Sequence, residues 1–146
     1  MTPLAIRGRV NAVLGRLRRP LLYLMSAGYA AAGALHSLVP GAYVQVVPPV
    51  LPAPLALVYL SGIAEVAAGV GLLYPPTRRA AAWGTVLLLL AVFPANVYMA
   101  TSGVAVETAA VEADPSAFAR WARLPLQGVL VACAWWYTRP APDETG

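Results

Sequence analysis

Residues 55–74 decide the fold: they read LALVYLSGIAEVAAGVGLLY and contain a single charged side chain, Glu65. An α-helix rises about 1.5 Å per residue, so twenty such residues reach about 30 Å, the thickness of a bilayer's hydrocarbon core. A segment of this length and composition is typical of a transmembrane helix. We therefore predict that the chain crosses a membrane here.

Three further stretches have the same apolar character: residues 21–39, 80–100 and 116–138. The last is the least regular, but Asp114-Pro115-Ser116 supplies a helix start in front of it. The whole chain is 60% hydrophobic and 11% charged, whereas soluble domains average about 45–50% and about 25%. This composition disfavours a soluble protein. The sequence predicts an all-α fold, an integral membrane four-helix bundle formed by a domain of residues 20–139.

The basic residues predict the orientation in the membrane. All ten are arginines; eight lie on one predicted side, and only Arg120 and Arg123 lie on the other. Cytoplasmic loops carry the excess of basic residues, so we expect both termini in the cytoplasm. Basic content of arginine alone, with abundant alanine, glycine and proline, indicates a bacterial chain and hence the inner (plasma) membrane. Because topology explains the arginines, we expect no nucleic-acid partner.

Residues 1–19 form a basic segment ahead of the first predicted span. At about 100° per residue, one face holds only apolar side chains and the arginines take the remainder. That apolar face consists of Ile6, Val10, Val13, Leu14 and Leu17. The pattern is typical of a helix lying in the membrane interface, against anionic headgroups. Because two glycines lower its helix propensity, a disordered leader that only sets the topology is the alternative.

Two loops and a tail connect or follow the predicted spans. Residues 40–54 carry five prolines and no charge, which favours an interfacial or partly re-entrant segment on the outer face. Residues 101–115 contain three acidic side chains and form an outer loop. Residues 140–146 are predicted to be a disordered tail.

Each predicted span carries one conspicuous polar residue towards the outer half of the bundle. Glu65 lies deepest, about 16 Å below the start of its helix. A charged side chain there costs about 2.5–3.5 kcal/mol or more on insertion scales, so it normally faces the interior and is paired, hydrated or protonated. We predict a ligand-binding pocket that opens outward and has Glu65 at its floor. Its candidate residues are His36, Glu65, Asn96, Gln127, Arg123, Ser61 and Tyr43.

Small residues at four-residue spacing predict how the first two spans pack. One row is Gly28, Ala32 and His36, and the facing row is Ser61, Glu65 and Gly69. Small side chains let two membrane helices approach closely. We expect these two rows to meet.

Structural roles stay open for most of the pocket candidates. His36 suits a membrane interface, and Asn96, two residues after Pro94, suits an interhelical hydrogen bond at a kink. Gln127 suits the same kind of bond, and Arg123 suits a side chain that extends to the headgroups. For Glu65 the cost of burial makes a functional role the default reading.

Several chemistries are disfavoured by what the chain lacks. It has one histidine and one cysteine, Cys133, which is too few for a haem with two axial histidines or a cysteine-based metal cluster. The phosphate-binding, dinucleotide and nucleophile-elbow motifs are absent from the sequence. We expect no metal site, and no cofactor is evident from the residues alone.

The order of these residues resembles the DoxX-like family of small membrane proteins, over roughly residues 23–136. The most specific element is the run 93–100, FPANVYMA. The others are His36, Pro40, Tyr43, Pro48, Leu51-Pro52, Ser61-Gly62, Glu65 and the run 123–127, RLPLQ. The resemblance implies a four-helix membrane bundle and an accessory role beside sulfur or thiol redox enzymes. Cys133 alone departs from a thiol-active pattern, so redox chemistry would come from a partner or a bound quinone.

These observations predict a non-enzymatic accessory subunit, redox-associated, or a protein that binds a small lipophilic molecule such as a quinone or lipid. The alternative is a membrane-embedded enzyme in which Glu65 and His36 transfer protons on a lipophilic substrate. A proton-coupled transporter ranks lower, because the last two spans do not repeat the first two. The expected partners are the lipid bilayer and either a second copy of the chain or a redox protein.

Overall fold

The computed structural model describes the backbone of residues 3–104 and 117–140, and all regular structure in these ranges is helical. The helices are α1 (Pro3–Leu38), α2 (Pro40–Val44), α3 (Pro54–Leu73), α4 (Pro75–Ser102) and α5 (Ala117–Tyr137). The all-α prediction is therefore confirmed for the described residues. Most of the predicted acidic loop and of the C-terminal tail lies outside them.

Helix α1 differs most from the sequence prediction. The basic segment and the first span were expected as two pieces, but one helix of 36 residues runs from Pro3 to Leu38 with Pro20 inside it. At 1.5 Å per residue it is about 54 Å long, well beyond the hydrocarbon core. The segment 3–19 is thus helical, and the disordered-leader alternative is wrong for it.

The other predicted spans are placed within one or two residues of their observed ends, except for the start of α4. This helix begins at Pro75, five residues before the predicted start, and has prolines in its first turn. Proline fits there because the first N–H groups of a helix have no intrahelical partner. Only Tyr74 separates α3 from α4. The proline-rich stretch after α1 contains the short helix α2, followed by turns.

The long helices pack in chain order: α1 on α3, α3 on α4, and α4 on α5, while α2 lies on α3 and the end of α1. All four long helices contribute to one apolar core. Its buried members are Leu22, Met25 and Tyr29 of α1, Leu72 of α3, Ala82, Val86 and Leu89 of α4, and Ala134 and Tyr137 of α5.

The middle of α1 and the end of α5 meet at one end of the molecule. The Arg18 guanidinium donates to the carbonyl of Arg139 at 2.7 Å, and the Tyr137 hydroxyl donates to the Arg18 carbonyl at 2.6 Å. The last carbonyls of a helix lack intrahelical donors, and an arginine is well suited to bind them. These contacts fix where α5 ends against α1.

Three helices are long and apolar enough to cross a bilayer: Arg9–Leu38 within α1, and the whole of α3 and α4. Leucines point outward from each, with Leu24 68%, Leu60 63% and Leu87 64% exposed. Outward apolar side chains are what a lipid environment accommodates. Helix α5 carries Arg120 and Arg123 in its first half and does not reach the same apolarity. By length and composition, the described residues therefore contain three candidate membrane spans.

Candidate functional site

The site forms where glycines bring α1 and α3 into backbone contact. A Cβ added to Gly62 would lie 2.7 Å from the His36 Cβ and 2.9 Å from the Gly33 carbonyl oxygen. A Cβ on Gly69 would lie 2.6 Å from the Ser26 carbonyl oxygen. Helices approach this closely only where no side chain intervenes. The predicted contact between the first two spans is therefore present.

Of the predicted row of α1, His36 makes this contact but Gly28 does not. A Cβ on Gly28 would meet nothing within 4 Å. The residues facing the α3 glycines are Ser26, Ala30, Gly33 and His36. The prediction for Gly28 is wrong, because an exact four-residue spacing drifts around a helix of 3.6 residues per turn.

His36 and Glu65 form the centre of the candidate site. The His36 Nδ1 lies 3.1 Å from the Glu65 Oε2, and the two side chains are only 14% and 15% exposed. The sequence placed Glu65 deeper than His36. The imidazole closes that gap because helical side chains lean towards the N-terminus of their helix, which brings the ring back along α1 to the Ala32 carbonyl, 2.8 Å away.

His36 Nδ1 has two neighbouring oxygen atoms, the Ala32 carbonyl oxygen and the Glu65 Oε2. Both neighbours are acceptors in their usual states, so Nδ1 carries the hydrogen, and the neutral ring has its lone pair on Nε2. One N–H cannot point at two acceptors equally well, and the Ala32 carbonyl is the nearer. The buried Glu65 Oε2 lies 3.1 Å from the same Nδ1 but receives no well-directed hydrogen bond from the described residues.

Tyr43 covers the pair from α2. Its ring stacks on the His36 imidazole, with 3.9 Å between the ring centroids and 24° between the planes. Burial and the nearby Glu65 charge both raise the pKa of Tyr43 above its ordinary value. The proline-rich connection therefore carries a residue that packs on His36.

Two further buried polar groups, which the sequence analysis missed, lie on the core face of α1. The Tyr29 hydroxyl and the Ser26 hydroxyl are buried and have no hydrogen-bond partner among the described residues. Tyr29 lies within electrostatic range of both Glu65 and Cys133. Together with Gly33 they form a row at spacings of three and four on the core face of α1. This spacing is present in the sequence, but the sequence analysis placed the packing face of α1 at Gly28 instead.

Asn96 and Gln127 form a separate pair between α4 and α5. The Asn96 Nδ2 donates to the Gln127 Oε1 at 2.7 Å, and the Gln127 Nε2 donates to the Leu89 carbonyl. Pro94 lacks an N–H, so the α4 hydrogen-bond ladder is interrupted beside this carbonyl. Both polar side-chain atoms of Gln127, Oε1 and Nε2, therefore have protein partners, as expected for a residue that links two helices. Within the described chain, no hydrogen bond or ion pair joins these amides to His36 or Glu65.

The remaining candidates also have local partners. The Arg123 guanidinium lies 3.3 Å from the Met99 sulfur, and the Ser61 hydroxyl donates to the Val58 carbonyl of its own helix. Of the seven predicted pocket residues, the structure therefore brings together His36, Glu65 and Tyr43. Among the described residues, no three His, Cys, Asp or Glu side chains group as metal ligands would.

This arrangement can accept hydrogen bonds from a guest molecule. The Glu65 Oε2 and the His36 Nε2 are acceptors, the Tyr29 hydroxyl is a free donor, and apolar side chains surround them. Buried polar atoms without partners are uncommon and call for a water, ion or ligand. The chemistry fits an uncharged molecule that carries a hydroxyl group on an apolar body.

Comparison with known proteins identifies the chain's family but gives it no activity. No curated protein and no solved structure shows significant similarity to this sequence. A family model described as "Domain of unknown function (DUF8561)" matches residues 25–138, which include every residue of both polar clusters. The chain therefore belongs to the DUF8561 family.

Proposed function

We propose that this chain is an integral membrane four-helix bundle, made of α1, α3, α4 and α5, that binds a small lipophilic molecule beside His36, Glu65 and Tyr43. The observation that carries the proposal is the buried Glu65 Oε2, which receives no well-directed hydrogen bond from the described residues because the nearby His36 N–H also faces the Ala32 carbonyl. A carboxylate in that condition is destabilising unless a guest, a water or a proton satisfies it. A ligand hydroxyl would supply the missing donor.

The resemblance to DoxX-like proteins supports an accessory, redox-associated role for the same pocket. A quinol is the ligand class that fits both the need for a hydrogen-bond donor at Glu65 and the redox-associated role, since it has hydroxyl donors on an apolar ring. A lipid with a free hydroxyl has the same donor chemistry. In this proposal the chain holds the molecule, and any electron transfer belongs to a partner protein.

The test is ligand retention by gently solubilised full-length protein. Wild type and Glu65→Gln would be compared by native mass spectrometry and lipid extraction, before and after addition of decylubiquinol. The amide keeps the size of the carboxyl but replaces one acceptor oxygen with a donor, so we expect the bound mass to be lost from Glu65→Gln. Circular dichroism and size exclusion would verify that the fold survives.

A matched pair of tyrosine variants controls for non-specific effects. Tyr43→Ala removes the ring over His36, whereas Tyr59→Ala removes a tyrosine of α3 that is 39% exposed. Loss of the bound molecule is expected only for Tyr43→Ala. Equal retention by wild type, Glu65→Gln and Tyr43→Ala would overturn the binding site.

The second candidate function is a membrane-embedded enzyme, favoured by the 3.1 Å contact between His36 Nδ1 and Glu65 Oε2. A carboxylate beside an imidazole stabilises the imidazolium that forms when the ring acts as a general base. Here Nε2 would take the proton from a lipophilic substrate, and Glu65 would stabilise the resulting imidazolium. Chemical conversion of decylubiquinol or an extracted lipid by purified protein, abolished by His36→Gln, would favour the enzyme over the binding protein.

The location proposed is a bacterial plasma membrane with both termini in the cytoplasm. The end of the molecule where Arg18 meets Arg139 would be cytoplasmic, and α2 would lie on the outer face. In a Cys133→Ala background, a cysteine at Ser102 should react with an impermeant maleimide on intact cells, and one at Thr77 should not. The reverse labelling pattern would invert the topology and place the pocket on the cytoplasmic side.

A further inference from the structure

The first half of α1 extends away from the rest of the molecule. Every described side chain from Arg9 to Leu17 is exposed. Contact with the end of α5 begins at Arg18, and the part of α1 from there to Leu38 rises about 30 Å, enough to cross the hydrocarbon core. Residues before Arg18 therefore lie outside that core when α1 spans the membrane.

This protruding half carries an apolar stripe that no described residue covers. Its members are Ile6 (50% exposed), Val10 (50%), Val13 (54%), Leu14 (42%) and Leu17 (45%). At about 100° per residue they fall within an arc of about 100°. Arg9 and Arg16 follow one edge of the stripe, and both are exposed. An apolar face bordered by arginines matches the amphipathic helices that lie at bilayer surfaces.

We propose that residues 6–17, the surface helix of α1, dock on the anionic surface of the membrane that the remaining helices span. The stripe would enter the boundary between headgroups and acyl chains, and the arginines would bind lipid phosphates. The inference rests on the membrane topology proposed above and is independent of the ligand pocket.

Charge selects lipid over a second copy of the chain as the occupant. Residues 1–19 contain five arginines and no acidic residue. Two such helices, parallel or antiparallel, would bring only like charges together, which disfavours pairing. An anionic leaflet attracts the same charges, and guanidinium groups bind phosphate with good geometry.

Pro20 sits at the boundary where the surface helix must turn towards the membrane plane. It has no N–H to donate to the Arg16 carbonyl, so the turn between these residues lacks one hydrogen bond. Bends in helices concentrate at such sites. Directly beside it, the contacts of Arg18 with Arg139 and Tyr137 hold the following turn in place. A fixed turn adjoining a weakened one defines an elbow at the membrane surface.

The test places a spin label at single cysteines in full-length Cys133→Ala protein, reconstituted into phosphatidylcholine vesicles with or without phosphatidylglycerol. Val13→Cys lies on the stripe, Ala12→Cys lies on the opposite face, and Val70→Cys, on the outer surface of α3, is the lipid reference. Collision with oxygen reports lipid exposure, and collision with a nickel chelate reports water exposure. With phosphatidylglycerol present, we expect the oxygen-to-nickel ratio to be several-fold higher at position 13 than at position 12.

Four other outcomes would overturn the proposal, each for a different reason. Equal, water-like ratios at positions 12 and 13 would mean that the helix projects into solvent. Dipolar broadening at position 13, abolished by dilution with unlabelled protein, would mean that a second copy covers the stripe. An equally high oxygen-to-nickel ratio at position 13 with and without phosphatidylglycerol would mean that anionic lipid is not required. A water-like signal at position 70 would refute the membrane topology itself, and so the proposed function.

Discussion

Gly62 offers a quantitative test of the α1–α3 contact through the substitution Gly62→Ala. The added methyl group would lie 2.7 Å from the His36 Cβ. Two carbon atoms are comfortable at about 3.5–4.0 Å, so one helix must move by roughly 1 Å. Neither neighbouring atom can rotate away, because the His36 Cβ is fixed to its helix and the Gly33 carbonyl oxygen belongs to the backbone.

The matched control is Gly28→Ala, where the new methyl group meets nothing within 4 Å. Both positions lie inside long helices, so both variants gain the same advantage in helix propensity, about 1 kcal/mol. The difference between the two therefore isolates the clash, which overpacking data place at about 1–3 kcal/mol. Gly62→Ala should be the less stable variant by this amount.

The assay is reversible unfolding by sodium dodecyl sulfate in mixed micelles, followed by tryptophan fluorescence. The displacement should also weaken ligand retention in Gly62→Ala, since the His36 ring moves with its helix. Equal free energies of unfolding for the two variants would mean that α1 and α3 do not touch at Gly62, and the geometry of the site would then have to be abandoned.

Three further substitutions test other contacts. Gln127→Ala should lower the free energy of unfolding by about 1–3 kcal/mol because buried partners lose their bonds, whereas Gln45→Ala, at an exposed side chain, should have little effect in the same assay. Tyr137→Phe removes a 2.6 Å bond between α5 and α1 and should cost about 0.5–1.5 kcal/mol; the exposed Tyr74→Phe is its control, and equal stabilities would contradict the helix-end contact. For Tyr43, the pKa raised by burial and by Glu65 means that the folded state favours the neutral phenol. Its contribution to stability should be intact below the ordinary tyrosine pKa of about 10 and should be lost as the pH rises through the folded value. Ultraviolet difference spectra of wild type against Tyr43→Phe should show ionisation above pH 10, and a normal titration would mean that the ring does not pack on His36.

The long helices were predictable because their signal is local. Residues 55–74 are apolar over a membrane-spanning length, and a single segment satisfies its own backbone groups in lipid only as a helix. The observed α3, Pro54–Leu73, differs from that prediction by one residue at each end. The early start of α4 was missed because Pro75, Pro76 and the two arginines after them look like a loop, although proline is favoured in a first helical turn. The continuity of α1 was not predicted, because Pro20 and two glycines disfavour a helix there. The structure nevertheless has one helix through all three residues.

The candidate site was only partly predictable. Glu65 could be chosen from its sequence alone, since a carboxylate within an apolar span has a large energetic penalty and needs a reason. That His36 lies against it, and that Asn96 and Gln127 pair separately, depends on which faces of the helices meet. At about 100° per residue, Gly28 lies roughly 140–160° around α1 from Ser26, Ala30 and Gly33, and composition cannot resolve such a rotation.

The sequence by itself determined the helical class, the lengths of the spans, the arginine asymmetry and the one carboxylate that lipid would not tolerate, because these depend on the local balance between apolar side chains and backbone hydrogen bonding. Only the tertiary structure decided which polar atoms find partners. Glycines at 33, 62 and 69 set the separation of α1 and α3, the lean of His36 brings its ring to Glu65, and α2 stacks Tyr43 on that ring. The Glu65 oxygen lacks a well-directed donor because the nearest hydrogen, on His36 Nδ1, also faces a backbone carbonyl, a consequence of packing that residue order alone does not contain.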